Sequence, residues 1–173
     1  GVWLAPEGIE VSSTQFGYIS AGGLAGDITG TDSKTPASIQ NCYVEGEGNI
    51  TVRSTDNTIK IHVGGIIGAT ITGTSIITHC YTTVDVEAEV DSRSIIHVGG
   101  IAGYASDISY SYATGNVKVK ERKKGKMPLV GGICGSIFNG TITNCVALNK
   151  EISSPGSDQC YRICRSGSGT NYA

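Results

Sequence analysis

The chain has 173 residues, enough for one domain with a core of its own, and its formal charge of −2 gives nucleic acid or acidic lipid no general attraction. Apolar residues at 39% and charged residues at 16% exclude a disordered tail and a coiled coil, and the 25 glycines lack the period of three that collagen requires. No apolar run reaches the roughly 18 residues of a membrane-spanning helix, no signal peptide opens the chain, and Gly1 in place of Met predicts a processed or trimmed N-terminus.

In chain order, the first recurring element is the box Gly22-Gly23-Leu24-Ala25-Gly26. A loop rich in Asp, Thr, Ser and Pro is predicted over 27–38. It leads to Ile39 and the strand Asn41-Cys42-Tyr43-Val44, then to the alternating run Ile50-Thr51-Val52-Arg53 and a turn at 53–58. The run Ile59-Lys60-Ile61-His62-Val63 enters the second box, Gly64-Gly65-Ile66-Ile67-Gly68. Ile77 and His79-Cys80-Tyr81-Thr82 follow, and then Val84 to Asp91, apolar on one face and acidic on the other, the period of a half-buried strand. After a turn at 91–94, Ile96-His97-Val98 enters the third box, Gly99-Gly100-Ile101-Ala102-Gly103. Ile108, Ser111-Tyr112-Ala113-Thr114 and Val117-Lys118-Val119-Lys120 repeat the sequence of elements. A loop over Glu121–Lys126 and Leu129-Val130 lead to Gly131-Gly132-Ile133-Cys134-Gly135, then Ile142 and Asn144-Cys145-Val146-Ala147. Arg162-Ile163-Cys164-Arg165 and Asn171-Tyr172-Ala173 form a degenerate fifth unit, and the chain ends within it, as expected for a piece of a longer protein.

Self-similarity at this period identifies a repeat architecture. The units run over about 18–52, 59–91, 95–122, 127–152 and a degenerate capping unit at 160–173, within a single repeat domain. No segment has a helical period. The predicted fold is all-β, a parallel β-solenoid of about four coils whose stacking buries a core that no single unit could bury. The alternative is a β-roll containing antiparallel hairpins, because Val117–Lys120 and Met127–Val130 flank a Lys-Gly tip. The structural glycines of the boxes (Gly22, Gly23, Gly26, Gly64, Gly65, Gly68, Gly99, Gly100, Gly103, Gly131, Gly132 and Gly135) then mark tight corners where a side chain would strike the neighbouring coil. A dinucleotide or phosphate loop is excluded, since no helix follows and no Lys-Ser/Thr closes the box.

The box followed by Asn-Cys-Tyr-Ala-Thr-Gly resembles the GLUG repeat of bacterial surface proteins, over about residues 20–150 and more loosely through the ending Gly-Thr-Asn-Tyr-Ala. Such repeats occur in large adhesin-like proteins, in Bacteroides-type surface proteins and beside the catalytic domain of some immunoglobulin A peptidases. The resemblance implies an extracellular or bacterial cell-surface location and a repeat architecture more than an activity. Ser111 for Cys, Val146 for Tyr and Arg165 for the closing glycine depart from the pattern, and the last fits a capping role.

Stacking Tyr81 on Tyr112 predicts Glu87 beside Lys118, Glu89 beside Lys120 and Asp91 beside Arg122. The run Arg122–Lys126 reads as a solvated tip beside an acidic strand and not as a polyanion site, because no aromatic residue is interleaved. Cys42, Cys80 and Cys145 share one repeat position and read as small buried thiols in place of a metal or redox site. Cys134 and Cys164 share a box position with Cys160 nearby, and the spacing leaves a disulfide among the three open. His62 and His97 lie one coil apart with Leu129 next in the column, so they read as exposed histidines of a polar face and not a metal pair. His79 takes the Asn place at a turn and reads as a hydrogen-bonding residue. The loop Asp27–Asp32 could offer oxygen ligands to calcium, but the nonapeptide binding repeat is absent.

Tyr43, Tyr81 and Tyr112 align and are the candidate binding residues: outward they form an aromatic stripe for sugars or a partner protein, inward they are core. Strand parity does not decide between these. No nucleophile elbow or ordered Cys–His pair points to catalysis, and no cofactor or metal set is evident. The expected function is that of a non-enzymatic extracellular repeat module, an adhesin stalk or binding scaffold. Its partners would be host glycan, mucin or a protein surface, with no nucleic acid and no membrane span, and in an oligomeric state the sequence does not define. The competing expectations are a polysaccharide-acting enzyme on a β-helix, from fold analogy alone, and a non-catalytic accessory domain of a secreted peptidase.

Overall fold

The computed structural model describes residues 1–14, 17–32, 34–54, 60–90, 95–121, 128–154, 160–164 and 171–172. Among these, the regular structure is β throughout, and the strands follow one another five to a coil. The first coil is β1 (Val2–Leu4), β2 (Ile9–Ser13), β3 (Tyr18–Gly22), β4 (Ala25–Thr29) and β5 (Ala37–Gln40). The second is β6 (Tyr43–Gly46), β7 (Ile50–Ser54), β8 (Lys60–Gly64), β9 (Ile67–Thr72) and β10 (Ser75–Thr78). The third is β11 (Tyr81–Thr82), β12 (Val86–Val90), β13 (Ile95–Gly99), β14 (Ala102–Ala105) and β15 (Asp107–Ser109). The fourth is β16 (Tyr112–Ala113), β17 (Val117–Glu121), β18 (Leu129–Gly131), β19 (Cys134–Ile137) and β20 (Ile142–Thr143). β21 (Cys145–Ala147), β22 (Ile152–Ser153) and β23 (Cys160–Tyr161) begin another coil, and β24 (Asn171–Tyr172) stacks on β21.

Each strand pairs in parallel with its equivalent one coil away, giving five sheets, here A to E in chain order: β1-β6-β11-β16-β21-β24, β2-β7-β12-β17-β22, β3-β8-β13-β18-β23, β4-β9-β14-β19 and β5-β10-β15-β20. This is a parallel β-solenoid. The hairpin alternative fails because β17 pairs with β12 and β22 while β18 pairs with β13 and β23, in a different sheet. The loop expected over 27–38 is also corrected: β4 runs on to Thr29 and β5 starts at Ala37, so the chain makes two more strands between box and Asn-Cys corner than its polar composition suggested.

The core is a set of aliphatic columns. Ile39, Ile77, Ile108 and Ile142 stack from sheet E, and Ile19, Ile61 and Ile96 from sheet C. All seven are buried, as are Ile66, Ile101 and Ile133 at the boxes. Alternation sends every second residue inward, so β-branched side chains fit the pleat and bury against their own copies.

The Asn-Cys corner explains why parity failed to place the tyrosines. Asn41, His79, Tyr110 and Asn144 all have φ between 47° and 53°, a left-handed conformation that Asn tolerates better than most residues. This one residue shifts the alternation. Ile39 and Val44 both point inward although five residues apart, and Tyr43 is turned out. The next residue secures the corner. The thiols of Cys42, Cys80 and Cys145 donate to the carbonyls of Gln40, Thr78 and Thr143 at 3.2, 3.2 and 3.4 Å, and the Ser111 hydroxyl donates to Ser109 O at 2.8 Å.

The box glycines serve close approach, not positive φ. A side-chain carbon on Gly100 would lie 2.6 Å from Ala113 Cβ, and nearer still to the Gly132 carbonyl oxygen. One on Gly26 would lie 2.8 Å from Ser20 O, so the strand leaving the box runs tightly against the strand entering it. The box thus folds sheet D back beside sheet C.

On sheet B the register is the expected one, with Glu87 level with Lys118 and Glu89 with Lys120. The ion pairs run diagonally or reach other coils: Lys120 to Glu87 at 2.6 Å, Lys118 to Glu151 at 2.8 Å, and Arg53 to both Glu10 and Glu89. Charge sign alternates from coil to coil. The expected Asp91–Arg122 pair, the basic run Arg122–Lys126 and Arg165 lie outside the described residues.

Candidate functional site: a pocket between sheets C and D

Because sheet D returns beside sheet C, outward side chains of the two sheets meet. Sheet C presents the column Ser20, His62, His97 and Leu129, flanked by Tyr18, Lys60 and Ile95. Sheet D presents Asp27, Ala69, Tyr104 and Ser136. Small Ala69 stands where the next coil has Tyr104, and beside it opens a pocket of about 330 Å³. Its walls include Tyr18, Lys60, His62, Tyr104 and Phe138, with Thr70 and Ser106 adding hydroxyls.

The rings form one connected cluster. Tyr18 stacks on His62 at 5.8 Å between centroids, His62 meets His97 edge-on at 5.0 Å, and Tyr104 lies 5.4 Å from His62 and 5.5 Å from His97. Phe138 stacks on Tyr104 at 6.1 Å. Lys60 Nζ sits 5.3 Å from the Tyr18 ring centroid, a cation–π distance. At the rim, Tyr18, Ile71 and Phe138 are large apolar side chains left about half exposed.

The histidines correct the expectation of an exposed polar face. His62 is only 3% exposed, and His97 is half-buried. Both point outward, as alternation requires, but Tyr18 and Tyr104 close over them. Burial, then His97 and Lys60, push the His62 imidazole down to about 3, so it is neutral at physiological pH. Its Nδ1 is buried without a hydrogen-bond partner. Hydrogen bonding to Tyr18 raises the Lys60 ammonium, and burial raises the Tyr104 phenol. The sequence carried a signal for this site: Asp27, Ala69, Tyr104 and Ser136 each follow the closing glycine of a box, and the one aromatic among them marks the pocket wall.

The other expected residues lie elsewhere. Tyr43, Tyr81 and Tyr112 stack along sheet A with centroids 5.2 and 4.8 Å apart and planes within 9° and 2° of parallel. Tyr43 and Tyr112 are 39% and 38% exposed. Both faces of the Tyr81 ring are taken by its neighbours, so the column presents ring edges and hydroxyls. The Tyr81 hydroxyl donates to Glu45 Oε1 at 2.8 Å, which, with burial, pushes its pKa up to about 12. His79 stacks on Tyr110 at 5.0 Å and its Nδ1 lies 2.9 Å from Thr78 Oγ1, in the turn role expected of it.

All six cysteines are free. Burial holds the Cys80, Cys145 and Cys134 thiols above their ordinary range, and the Cys134 thiol is hydrogen-bonded with Cys164 in place of the disulfide left open for the tail. Asp27 belongs to β4, and Asp32 accepts from the backbone N–H of Lys34 and Thr35 at 2.7 Å each. Among the described residues no group of three His, Cys, Asp or Glu is set to hold a metal ion, and no helix is long and apolar enough to cross a membrane.

Compared with known families, residues 95–118 and 128–153 match the model of the GLUG motif. Each match begins at a strand entering a box, β13 or β18, and runs across the following corner to the sheet B strand of the next coil, β17 or β22. The two matches support a GLUG-repeat protein and a repeat module of an extracellular protein. No curated protein and no solved structure matches the chain.

Proposed function

We propose that the chain is a non-catalytic module of a bacterial surface protein, a rigid scaffold that holds a recognition surface away from the cell. The observation that supports this reading most directly is the outward column Tyr43–Tyr81–Tyr112, regularly spaced and partly exposed on a sheet fixed by parallel pairing. Stacked rings with free edges suit hydrogen bonding to the hydroxyls of a host glycan or mucin, or to a protein surface. A lone tyrosine would instead offer a face for sugar stacking. The described pocket lining carries no Asp or Glu, so hydrolysis by paired carboxyl groups has no seat there.

A glycan-array and mucin-binding screen of the purified chain tests the reading, with Tyr43→Ala, Tyr81→Ala and Tyr112→Ala compared beside it. Retention by the parent and loss in variants whose circular dichroism is unchanged is the expected result. A parent that binds nothing, with variants that merely melt earlier, would reduce the column to a structural element and the chain to a spacer.

A further inference from the structure

The pocket between sheets C and D differs from the tyrosine column in every property that matters for a ligand. It is concave, whereas the column is convex. Its volume of about 330 Å³ lies at the small end of the range for small-molecule sites. Tyr104 is stacked on by His97 and Phe138, so the ring surface left open in the lining is that of Tyr18 and Phe138, each about half exposed.

Three features narrow the occupant. Aromatic walls beside Ser106 and Thr70, whose hydroxyl donates to Ser75 Oγ at 2.8 Å and so has only acceptor capacity left, suit a ring with apolar C–H faces and a polar rim. Lys60 is the one formally charged side chain among the described lining residues, and it is half-buried over Tyr18, so a single negative charge on the ligand is matched. His62 Nδ1 is buried without a partner in a side chain that is 97% covered. Whichever tautomer the imidazole adopts, a hydroxyl group can serve it, because a hydroxyl both donates and accepts. A polyol ring with one carboxylate meets all three conditions. A nucleobase would use the rings but not the charge, and an aliphatic acid would leave the rings unused.

We infer that this pocket binds a single carboxylated sugar residue of a glycan, a uronate or a sialate, with its ring against the open surfaces of Tyr18 and Phe138, its carboxylate at Lys60 Nζ and a hydroxyl at His62 Nδ1. The site is independent of the tyrosine column and does not rest on that column's binding anything.

The test is saturation-transfer NMR on the full 173-residue chain with sialyllactose, a methyl glucuronide, and their neutral counterparts lactose and a methyl glucoside. Saturation transfer to at least one acidic probe is expected, stronger than to its neutral parent. Lys60→Met should weaken that binding roughly tenfold or more, as loss of a charge-assisted contact does, and Lys60→Arg should largely keep it. His62→Phe keeps a packed ring and removes the polar atom, and it should weaken acidic and neutral probes alike. Absence of transfer to all four probes overturns the inference, as does equal binding of acid and neutral parent. Binding that survives Lys60→Met and His62→Phe but is lost in Tyr81→Ala places the sugar on the column. That outcome refutes the pocket while sparing the scaffold reading.

Discussion

Gly100→Ala should destabilise the solenoid far more than a glycine-to-alanine change elsewhere on its surface. The added methyl would stand 2.6 Å from Ala113 Cβ, against an ordinary carbon–carbon contact of about 3.5–4.0 Å, so roughly 1 Å of displacement is needed. It would also press on the Gly132 carbonyl oxygen, which is backbone and belongs to the neighbouring coil. Overpacking typically costs about 1–3 kcal/mol, and an obstacle held by the parallel ladder belongs at the upper end. For a chain of this size about 3 kcal/mol corresponds to a fall of roughly 6–12 °C in Tm. Gly17→Ala is the control, since nothing lies within 4 Å of the position its methyl would take; it should fall within about 0.5 kcal/mol of the parent. Thermal unfolding followed by far-ultraviolet circular dichroism reads both. Ala113→Gly combined with Gly100→Ala should restore only part of the loss, because it removes the methyl obstacle and leaves the carbonyl. Equal melting of the Gly100 and Gly17 variants, or full rescue by Ala113→Gly, would refute the account of the box as a backbone-to-backbone approach.

Three other outcomes follow from the same geometry. Ser111→Ala strips a partner from both Ser109 O and the Cys80 N–H, which bonds Ser111 Oγ at 3.1 Å; it should cost about 1–3 kcal/mol in urea unfolding, whereas Ser111→Cys restores the residue of the other coils and should cost less. Thiol titration of unreduced protein should count six free thiols after denaturation. In the native state half-buried Cys42, Cys160 and Cys164 should react before buried Cys80, Cys134 and Cys145. His62 is neutral in the fold down to about pH 3 but protonates near 6.5 once unfolded, so the unfolded state takes up more protons between those values and stability falls as pH drops through that window. The full displacement corresponds to about 5 kcal/mol at most, with His97, Lys60, Tyr18 and Tyr104 as the groups facing the ring. His62→Phe should flatten the part of the urea-midpoint profile between pH 6.5 and 5, above the range where carboxylates titrate.

The scaffold was legible because a solenoid repeats its strongest signals. Four boxes and three aligned tyrosines set the coil register, and the alternating run from Val84 against Val117–Lys120 set the pairing of sheet B; among the described residues the tyrosine alignment and the pairing of Val86–Val90 hold in the structure. Sheets D and E were hidden because their strands are short and polar at the ends, as in Ala25–Thr29, and read as loop. The outward turn of Tyr43 was hidden because one left-handed residue, Asn41, changes the phase of the alternation, and no count of twos across a corner can detect that. His62 was misplaced for a different reason. Its outward direction was deducible from the pleat, but its burial depends on Tyr104, which is distant in sequence and arrives only because the box folds one sheet back onto another.

That last point bears on where a repeat protein can carry function. A column in which every coil contributes the same side chain satisfies itself, as Ile39–Ile77–Ile108–Ile142 does in the core and Tyr43–Tyr81–Tyr112 does on the surface. An inner member such as Tyr81, Ile77 or Ile108 is covered above and below by its own copy, and little of it is left for a ligand beyond an edge. A recess requires the copies to differ. The Asp27–Ala69–Tyr104–Ser136 column differs at every step, and the pocket opens where alanine precedes tyrosine. The neighbouring sheet then supplies Lys60 and His62 in the same coil as that alanine. A single substitution tests this directly. Ala69→Tyr makes the column uniform across two coils and should extend the ring stack at the expense of the cavity, removing binding of an acidic sugar from a protein that still unfolds cooperatively. Retention of that binding in a folded Ala69→Tyr protein would mean that the break in the column is not what makes the site.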